Sequence, residues 1–532
     1  MKKRLAKIAS LFLIGFSSSY AALVSVPAGD ITTDTTWTSD NEYILEGIVY
    51  VKDATLTIQP GTIIRGQPRT DSVTYNPGTL VITSSASISA IGTATNPIIF
   101  TTACLNNNGV PLDSNADGFF DRASVVSGAL ASGIFLDSDP KNNPLPPTSA
   151  STYLNAQYSA TPTNVLAGLC GGIIIMGEAP TNADNRVANG FGGFLEGLAY
   201  VEGLSAGVDT TYGGVNPFDN SGKLSYFSIR HGGAKLSEAN EINGLTLAGV
   251  GSGTQVDHID IYTNLDDGIE IFGGTVMLKY ININFVEDDG LDVDQGWTGA
   301  AQFVFVLQHP DFGDSLGEWD GADEDSANGS AGGVDYMTPN GRPYAYPVIA
   351  NGTYVGRSTG TKTGLRMRAG FGGEVLNNVV VQAKEGVRID PEVGIESDGD
   401  DARSRAILGE IKFRGNTLFN NTNNDLSFTQ ASPANFVAGT FDTTTAGWNN
   451  LNASNPGFKA FDVTSYVNPI GIQPGFGGTP LAFSNIAALP NNAFLTTVAY
   501  RGAFSTSKLV DLWTNNWTTL NKRGVLVSKG NE

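Results

Sequence analysis

Cysteine, histidine and charge are all scarce in this sequence. Its 532 residues include two cysteines, three histidines and only 16% charged residues. Two cysteines exclude a disulfide-rich scaffold; Cys104 and Cys170 form either one disulfide or two buried thiols. The histidines, His231, His258 and His309, have no serine or cysteine context typical of nucleophilic catalysis. Outside the N-terminus no long helical periodicity occurs, which excludes a coiled coil.

Positive charge is especially scarce. The chain has 31 lysines and arginines against 52 aspartates and glutamates, a net charge of −21. Such a surface repels phosphate backbones, so we do not expect a nucleic-acid partner. The balance favours cations, or ligands and surfaces that cations bridge.

Long apolar runs are absent after the N-terminus. Residues 1–21 have the pattern of a secretory signal: Lys2 to Arg4, an apolar run from Ile8 to Phe16, and small residues before a cleavage point after Ala21. The run is too short to span a bilayer. We therefore expect an exported protein without a membrane span, extracellular or on the outer cell surface, with the periplasm as the alternative.

Glycine is abundant, at 65 residues, and short apolar stretches alternate with turns. A self-match at 22 residues aligns 258–276 with 280–298, and Gly364 to Met367 aligns with Gly386 to Ile389 at the same spacing. A period of this length with short strands indicates an all-β fold, a parallel β-helix with coils of about 22 residues.

Strand alternation assigns the side chains of the matched coils to the inside or the outside of the solenoid. We expect Ile259, Ile261, Ile269 and Ile271 in the interior, and Glu270, Asp292 and Asp294 on the outside.

The sequence predicts five regions. They are a signal peptide (1–21), an N-terminal cap with the first coils (22–101), a loop insertion (102–165), the main β-helix with insertions (166–428), and C-terminal coils with a cap (429–532). Within the last region, residues 493–517 are expected to cover the exposed edge of the final coil.

Several stretches resemble a large group of secreted bacterial β-helix proteins. They are Ile58 to Gly66, Ala86 to Thr101, Gly171 to Ile175, Asn243 to Leu247, Asp266 to Val276 and Tyr500 to Phe504. The resemblance spans nearly the whole chain and implies a right-handed parallel β-helix, but no established activity. More distantly, the architecture is similar to pectate lyases and polygalacturonases, which bind acidic polysaccharide in a groove along the solenoid.

A candidate calcium loop lies in the first insertion. Oxygen ligands alternate along it, with a glycine for the sharp turn at Gly118, and the twelfth position is Ser124 rather than the glutamate of an EF-hand. A polar turn is the alternative. The predicted ligands are Asp113, Asn115, Asp117, Asp121 and the carbonyl of Phe119.

An acidic ladder follows from the repeat. Equivalent carboxylates stack about one strand spacing apart, so they either share Ca²⁺ or bind protons unusually tightly. The candidate cation ligands are Asp267, Glu270, Asp289, Asp292 and Asp294.

The ladder has three possible roles. Bound Ca²⁺ could bridge to uronate or sulfate groups of a polysaccharide, or a carboxylate pair could hydrolyse glycosides at a separation of roughly 5 to 9.5 Å. Alternatively, the Asp-Asp-Gly corners could cap backbone N–H groups. We favour capping for Asp266 and Asp288, and a ligand-facing role for Glu270, Asp292 and Asp294.

Arginines form a third constellation: Arg366, Arg368 and Arg388. The resemblance to polysaccharide lyases implies that an arginine can act as the base there, with Arg366 and Arg388 as candidates. Pairing with Asp390 or neighbouring acids is the favoured interpretation. Counting periods along the sequence separates these arginines from the ladder by about four coils.

An acidic stretch, residues 318–325, contains five acids around one tryptophan. We interpret it as a loop after the ladder, solvated rather than ligand-binding. In the alternative, Glu318, Trp319 and Asp320 wall a sugar groove, with the indole as a stacking platform.

Together these features predict a secreted or cell-surface β-helix protein, stabilised by Ca²⁺, with a binding or structural role that faces glycans or is adhesive. A calcium-dependent polysaccharide lyase or glycoside hydrolase is the alternative. An enzyme requires a groove in which an acid, a cation and either an arginine or a second carboxylate contact one sugar.

Overall fold

The chain folds into stacked coils of parallel β-strands. The computed structural model describes residues 21–68, 76–104, 135, 137–144, 166–183, 197–202, 204–236, 242–309, 312–321, 345–356, 363–390, 402–419, 421, 424–428, 449–452, 486–505 and 512–524. No helix among them is long and apolar enough to cross a membrane.

Eighteen of the described strands share one sheet. They are β1 (Ala22–Val26), β3 (Thr35–Trp37), β4 (Asn41–Leu45), β6 (Thr55–Ile58), β7 (Ile63–Gly66), β9 (Ser87–Ile91), β10 (Ile98–Thr102), β14 (Gly222–Arg230), β16 (Gln255–Tyr262), β18 (Met277–Asn284), β20 (Ala300–Leu307), β22 (Val348–Ala350), β23 (Thr353–Val355), β25 (Gly373–Leu376), β26 (Val379–Val381), β28 (Ile411–Arg414), β29 (Thr417–Phe419) and β31 (Leu451–Asn452).

A second sheet contains eleven strands. They are β2 (Gly29–Ile31), β5 (Ile48–Val51), β8 (Thr79–Ile82), β11 (Ile173–Met176), β15 (Leu245–Ala248), β17 (Ile269–Phe272), β19 (Leu291–Asp294), β21 (Ser315–Asp320), β24 (Thr363–Arg368), β27 (Glu385–Ile389) and β30 (Asn424–Phe428).

The remaining described elements are short. An antiparallel hairpin lies outside the solenoid, and two helices follow late in the chain. They are β12 (Leu198–Tyr200), β13 (Thr211–Gly213), a 3-10 turn (Val208–Thr210), α1 (Ala402–Ile407) and α2 (Thr519–Lys522).

The larger sheet bends along its length and supplies two faces of the solenoid. β9 pairs with the first half of β14, whereas β10 pairs with its second half. The bend lies within β14, β16, β18 and β20, where one residue in each strand adopts a positive φ. The backbone changes direction at this residue, and strand pairing continues on both sides of it. These residues are Tyr226, His258, Tyr280 and Phe303.

The predicted parallel β-helix is confirmed. All strands of both large sheets pair in parallel, and β16 to β18, β17 to β19 and β24 to β27 repeat at the predicted period. The predicted interior isoleucines, 259, 261, 269 and 271, are fully buried. Their stacked side chains form part of one continuous apolar core along the solenoid.

An asparagine ladder stabilises one corner. The Oδ1 atom of Asn416 accepts the backbone N–H of Asn378 at 2.8 Å, and Asn450 Oδ1 accepts that of Asn416 at 2.9 Å. The Nδ2 group of Asn416 donates to the Val375 carbonyl at 2.8 Å. Each amide thus satisfies a backbone N–H and a backbone carbonyl of the preceding coil.

The described residues of the C-terminal segment run along the flank of the solenoid. Phe504 packs on Phe305 of β20, Thr519 donates two hydrogen bonds to Asp260 of β16, and Arg501 donates to the Asn449 carbonyl beside β31. The segment thus contacts coils from the middle of the chain to the last described strand. A buried carboxylate, Asp260, fixes its position. The edge beyond that last strand lies outside the described residues, so its predicted cover stays a prediction.

The two cysteines are free and buried. Burial raises the pKa of the Cys104 thiol to about 12, and it also raises the pKa of Cys170. Such thiols are poor nucleophiles.

Removal of one rung should destabilise the corner. We expect Asn416→Ala to lower the free energy of unfolding by about 1–3 kcal/mol, since it leaves buried backbone groups without a partner. Urea unfolding followed by circular dichroism measures this change. The exposed Asn491 offers a control: if Asn491→Ala shifts the midpoint equally, the ladder does not carry the stability.

Candidate cation site on the eleven-stranded sheet

A row of polar side chains follows the outside of the eleven-stranded sheet, one residue per strand. The register places each side chain beside its neighbour in the next coil, about 4.8 Å apart. In order, the row consists of Thr246, Glu270, Asp292, Glu318, Arg366 and Arg388. After the threonine, three consecutive acids are followed by two arginines.

Glu318 and Asp320 lie on a strand, not on the loop that the sequence predicted. β21 pairs directly with β19, so Glu318 lies beside Asp292 as the next rung of the ladder. This register was missed because the paired positions Leu291 and Gly317 lie farther apart in sequence than one period of the repeat. The extra residues enlarge the turn between the strands and leave their pairing intact.

Trp319 is not a stacking platform for sugars. Its side chain is fully buried in the core and packs against Phe371, with ring centroids 5.6 Å apart. Gly317 makes room for it, since a Cβ there would lie 2.9 Å from the indole Nε1. Strand alternation, with Glu318 outside, was the available signal for this inward orientation.

Three acids of the ladder bring their oxygens together. Each of Asp267, Glu270 and Asp292 has a carboxylate oxygen within 4.8 Å of those of the other two. Asp267 is 7% exposed and Glu270 is 8% exposed, while Asp292 is half-buried. Two oxygens that bind one Ca²⁺ at 2.3–2.6 Å lie at most about 5 Å apart, so this spacing fits a single ion.

Two further clusters occupy the adjoining turns. One contains Asp266, Asp267 and Asp288, and the other contains Asp288, Asp289 and Asp314. In each cluster, one carboxylate oxygen per residue lies within 4.8 Å of those of the other two, but the clusters include the exposed carboxylates of Asp288 and Asp314. Of the predicted ligands, Asp294 belongs to none of these clusters, and its Oδ1 atom accepts the N–H of Gln295 at 2.5 Å.

The Asp-Asp-Gly corners do cap backbone groups, but through their second aspartate. Asp267 Oδ1 accepts the N–H of Asp289 in the next coil at 2.9 Å. Asp289 in turn accepts the N–H of Ser315. The sequence analysis favoured this role for Asp266 and Asp288, and did not assign it to Asp267 and Asp289.

Burial dominates the electrostatics of the acidic row. It raises the pKa of Asp267 and Glu270 well above the usual range, with further increases from Asp266 and Asp292 respectively. Burial and the charge of Glu318 raise the pKa of Asp292 to about 7. The cluster therefore retains protons near neutral pH unless a cation replaces them.

Asn243 adds a neutral oxygen beside the cluster. Its Nδ2 group donates to Glu270, while no donor among the described residues reaches its Oδ1 atom, which is buried. A flip of the amide exchanges the two atoms and brings Oδ1 next to Glu270. An amide oxygen is a common calcium ligand, so this residue extends the possible ligand set.

The arginines lie beside the ladder rather than four coils away. β24 pairs with β21, so Arg366 follows Glu318 directly, although the two are far apart in sequence. The sequence between the two strands is longer than one period, so a count of periods assigns extra coils to it. The predicted stacking of Arg366 on Arg388 is confirmed.

The arginines form an ion-pair network. Arg366 contacts Glu318 at 3.0 Å and Asp390 at 2.8 Å, and Arg388 contacts Asp390 at 2.7 Å. Arg368 pairs with Asp320 at 2.8 Å and also with Glu318. The interpretation of Arg366 and Arg388 as partners of Asp390 is confirmed.

The calcium loop predicted in the first insertion cannot be compared with this site. Its ligands, residues 113, 115, 117, 119 and 121, lie outside the described residues. It stays a prediction.

Comparison with known families agrees with the architecture. The family model for the pectate-lyase-like β-helix domain matches residues 29–110 and 159–456, which is more than half of the chain. The chain belongs to this family. Comparisons with the curated proteins and with the solved structures find no match. Membership in the pectate-lyase-like family establishes the β-helix, whereas the activity has to be argued from the site.

The raised pKa values predict an unusual dependence of stability on pH. Between the carboxyl pKa of the unfolded chain, about 4, and the raised pKa of Asp292, about 7, the folded state binds more protons than the unfolded state. In the presence of EDTA, we therefore expect the melting temperature to fall as the pH rises from about 5 to about 8. Differential scanning calorimetry measures it.

Asp292→Asn should flatten this pH dependence, because it removes one of the coupled groups. The exposed Asp53 provides the matched control. Asp53→Asn should leave the curve unchanged, and a melting temperature of the wild type that rises over the same interval would contradict the prediction.

The ion-pair network should be sensitive to loss of its shared acid. Glu318→Gln leaves two partly buried arginines without part of their compensation, so we expect the free energy of unfolding to fall by about 3 kcal/mol. Glu374→Gln is the matched control, since Glu374 forms one partly exposed pair with Lys412 at 2.8 Å. That change should cost less than about 1 kcal/mol in urea unfolding. Equal losses would argue against a special role of Glu318.

Proposed function

We propose that this protein is an exported or cell-surface β-helix that binds Ca²⁺ at Asp267, Glu270 and Asp292 and, through it, acidic polysaccharide. Its role is binding or structural. The observation that carries the proposal is the convergence of the three carboxylates within 4.8 Å. The signal-like N-terminus and the net charge of −21 support the location and the preference for cations.

The chemistry of the cluster favours calcium among the common cations. Its donors are carboxylate oxygens, with the amide oxygen of Asn243 beside them. Hard cations prefer such oxygens, and calcium tolerates the irregular spacing that magnesium does not. One divalent ion would offset the charge repulsion that raises the pKa values in the cluster.

An acidic polysaccharide suits both halves of the outer row. A cation that Asp292 holds from the solvent-facing side keeps positions open for a uronate or sulfate group of a ligand. Two coils further on, Arg366 and Arg368 pair with Glu318, Asp320 and Asp390, and each guanidinium group has five N–H donors, of which some can bind a second acidic group of the same polysaccharide. The similarity of the domain to pectate lyases favours such a polymer.

Catalysis is the weaker alternative. A lyase needs an arginine that can accept a proton. Burial alone would lower the pKa of Arg366, but Glu318 and Asp390 raise it above its usual value. Hydrolysis needs two accessible carboxyl groups. Asp267 and Glu270 are more than nine-tenths buried, so among the three converging acids only Asp292 is open to a glycosidic oxygen.

Calorimetric titration of the chelator-treated protein with CaCl₂ tests the proposed site. We expect Asp292→Asn and Glu270→Gln each to weaken one calcium site by at least about tenfold, because each removes a charged ligand. Asp53→Asn should have no effect. Asp117→Ala separates the predicted loop site from the site on the sheet.

Affinity electrophoresis in polygalacturonate then tests the ligand. The wild type should be retarded with Ca²⁺ but not with EDTA, and Asp292→Asn should migrate freely under both conditions. Calcium binding that neither ladder variant alters would refute the site. Formation of unsaturated products, followed by their ultraviolet absorbance, would instead support the lyase.

A further inference from the structure

A groove of about 420 Å³ opens on the eighteen-stranded sheet, away from the acidic row. It is lined by the first residues of β16 and β18, by the turn at residues 252–254 and by Phe494. Sites for small molecules typically measure roughly 300–1,000 Å³. The groove is therefore large enough for a ligand of the size of a mono- or disaccharide.

A stack of four aromatic rings contributes two of its members to the wall of this groove. The rings of Tyr226, His258, Tyr280 and Phe303 follow one another at centroid distances of 4.1, 4.6 and 5.1 Å. His258 and Tyr280 also line the groove. All four residues have a positive φ, which is costly for large side chains and has to be held by the surrounding structure. The aromatic wall is thus fixed before any ligand arrives.

Hydrogen-bonding groups lie next to the wall. Asp257 accepts hydrogen bonds from Gln255 at 2.6 Å and from Ser225 at 2.6 Å, and it pairs with His258 Nδ1 at 2.7 Å. Although burial opposes it, these bonds lower the pKa of Asp257, which keeps the carboxylate charged. On the neighbouring strand β18, Lys279 is the register partner of Asp257. The opposite charges of Asp257 and Lys279 balance, which disfavours selection for a charged ligand.

A further aromatic side chain lines the groove. Phe494 is half-buried and holds the Lys279 ammonium 4.7 Å from its ring centroid. Apolar rings beside planar polar side chains match a sugar, whose ring has an apolar face and a hydroxyl rim.

From this arrangement we infer a second carbohydrate site, which binds a neutral saccharide in the groove between Gln255, Asp257, Lys279 and Phe494. It does not depend on a cation and is independent of the acidic row. A chain that used both sites would engage a neutral and an acidic glycan on different faces.

Calorimetry of the full chain in EDTA tests this inference. The probes are neutral oligosaccharides of glucose, galactose and mannose, with oligogalacturonate as the acidic comparison. We expect one neutral series to bind, and Phe494→Ala and Gln255→Ala each to weaken it about tenfold through loss of a ring contact or a hydrogen bond. Gln59→Ala, at an exposed position on an early coil, is the matched control.

Near-ultraviolet circular dichroism shows whether the variants remain folded. If none of the neutral series binds, or if both groove variants bind as the wild type does, the inference is wrong. Binding of oligogalacturonate alone, and only with Ca²⁺, would overturn the groove site while supporting the cation site. If a neutral sugar binds in EDTA and the protein has no calcium site, the groove site is supported and the cation site is refuted.

Discussion

In-register hydrogen bonding between parallel coils is the constraint on which the rest of this structure depends. It places each residue next to its counterpart in the next coil, about 4.8 Å away, whatever the chemistry of the two side chains. In the interior this favours stability, since Ile259 lies on Ile281 and Ile261 on Ile283. On the outside the same rule forces Glu270, Asp292 and Glu318 together. The acidic row is a consequence of the fold as much as of the sequence.

Two solutions to that repulsion occur along one row. From Glu318 onward, arginines on the next strands provide the opposite charge within 3.0 Å. On the strands before Glu318, protons or a cation have to offset the negative charge. Burial raises the pKa of Glu270, so this carboxyl group retains its proton more readily. Arginines at further positions of the row would have neutralised the remaining acids. A cation bound at these unneutralised acids would therefore increase the free energy of unfolding more than one bound beside the arginines.

The structure of the repeating coils could be predicted from the sequence. The strand pairing across an interruption of the repeat could not. The self-match identified the coils, the interior isoleucines and the outward Glu270 and Asp292. It could not place Glu318 or Arg366, since turns of different length separate their strands while the pairing continues. Register depends on hydrogen bonding between strands, and an insertion changes the spacing in sequence without changing the register. The inward orientation of Trp319 was lost for the same reason.

Regular stacking also bears on whether this site binds or catalyses. A catalytic centre requires groups of different kinds to converge on one bond, which a repeat opposes by placing similar groups in a line. A polymer with a repeating charge fits such a line. Once its first charged group is bound, each further group binds at a high effective concentration. The arginines that could break the pattern are already engaged with Glu318, Asp320 and Asp390. The order that stabilises the solenoid is thus the order that an extended ligand needs.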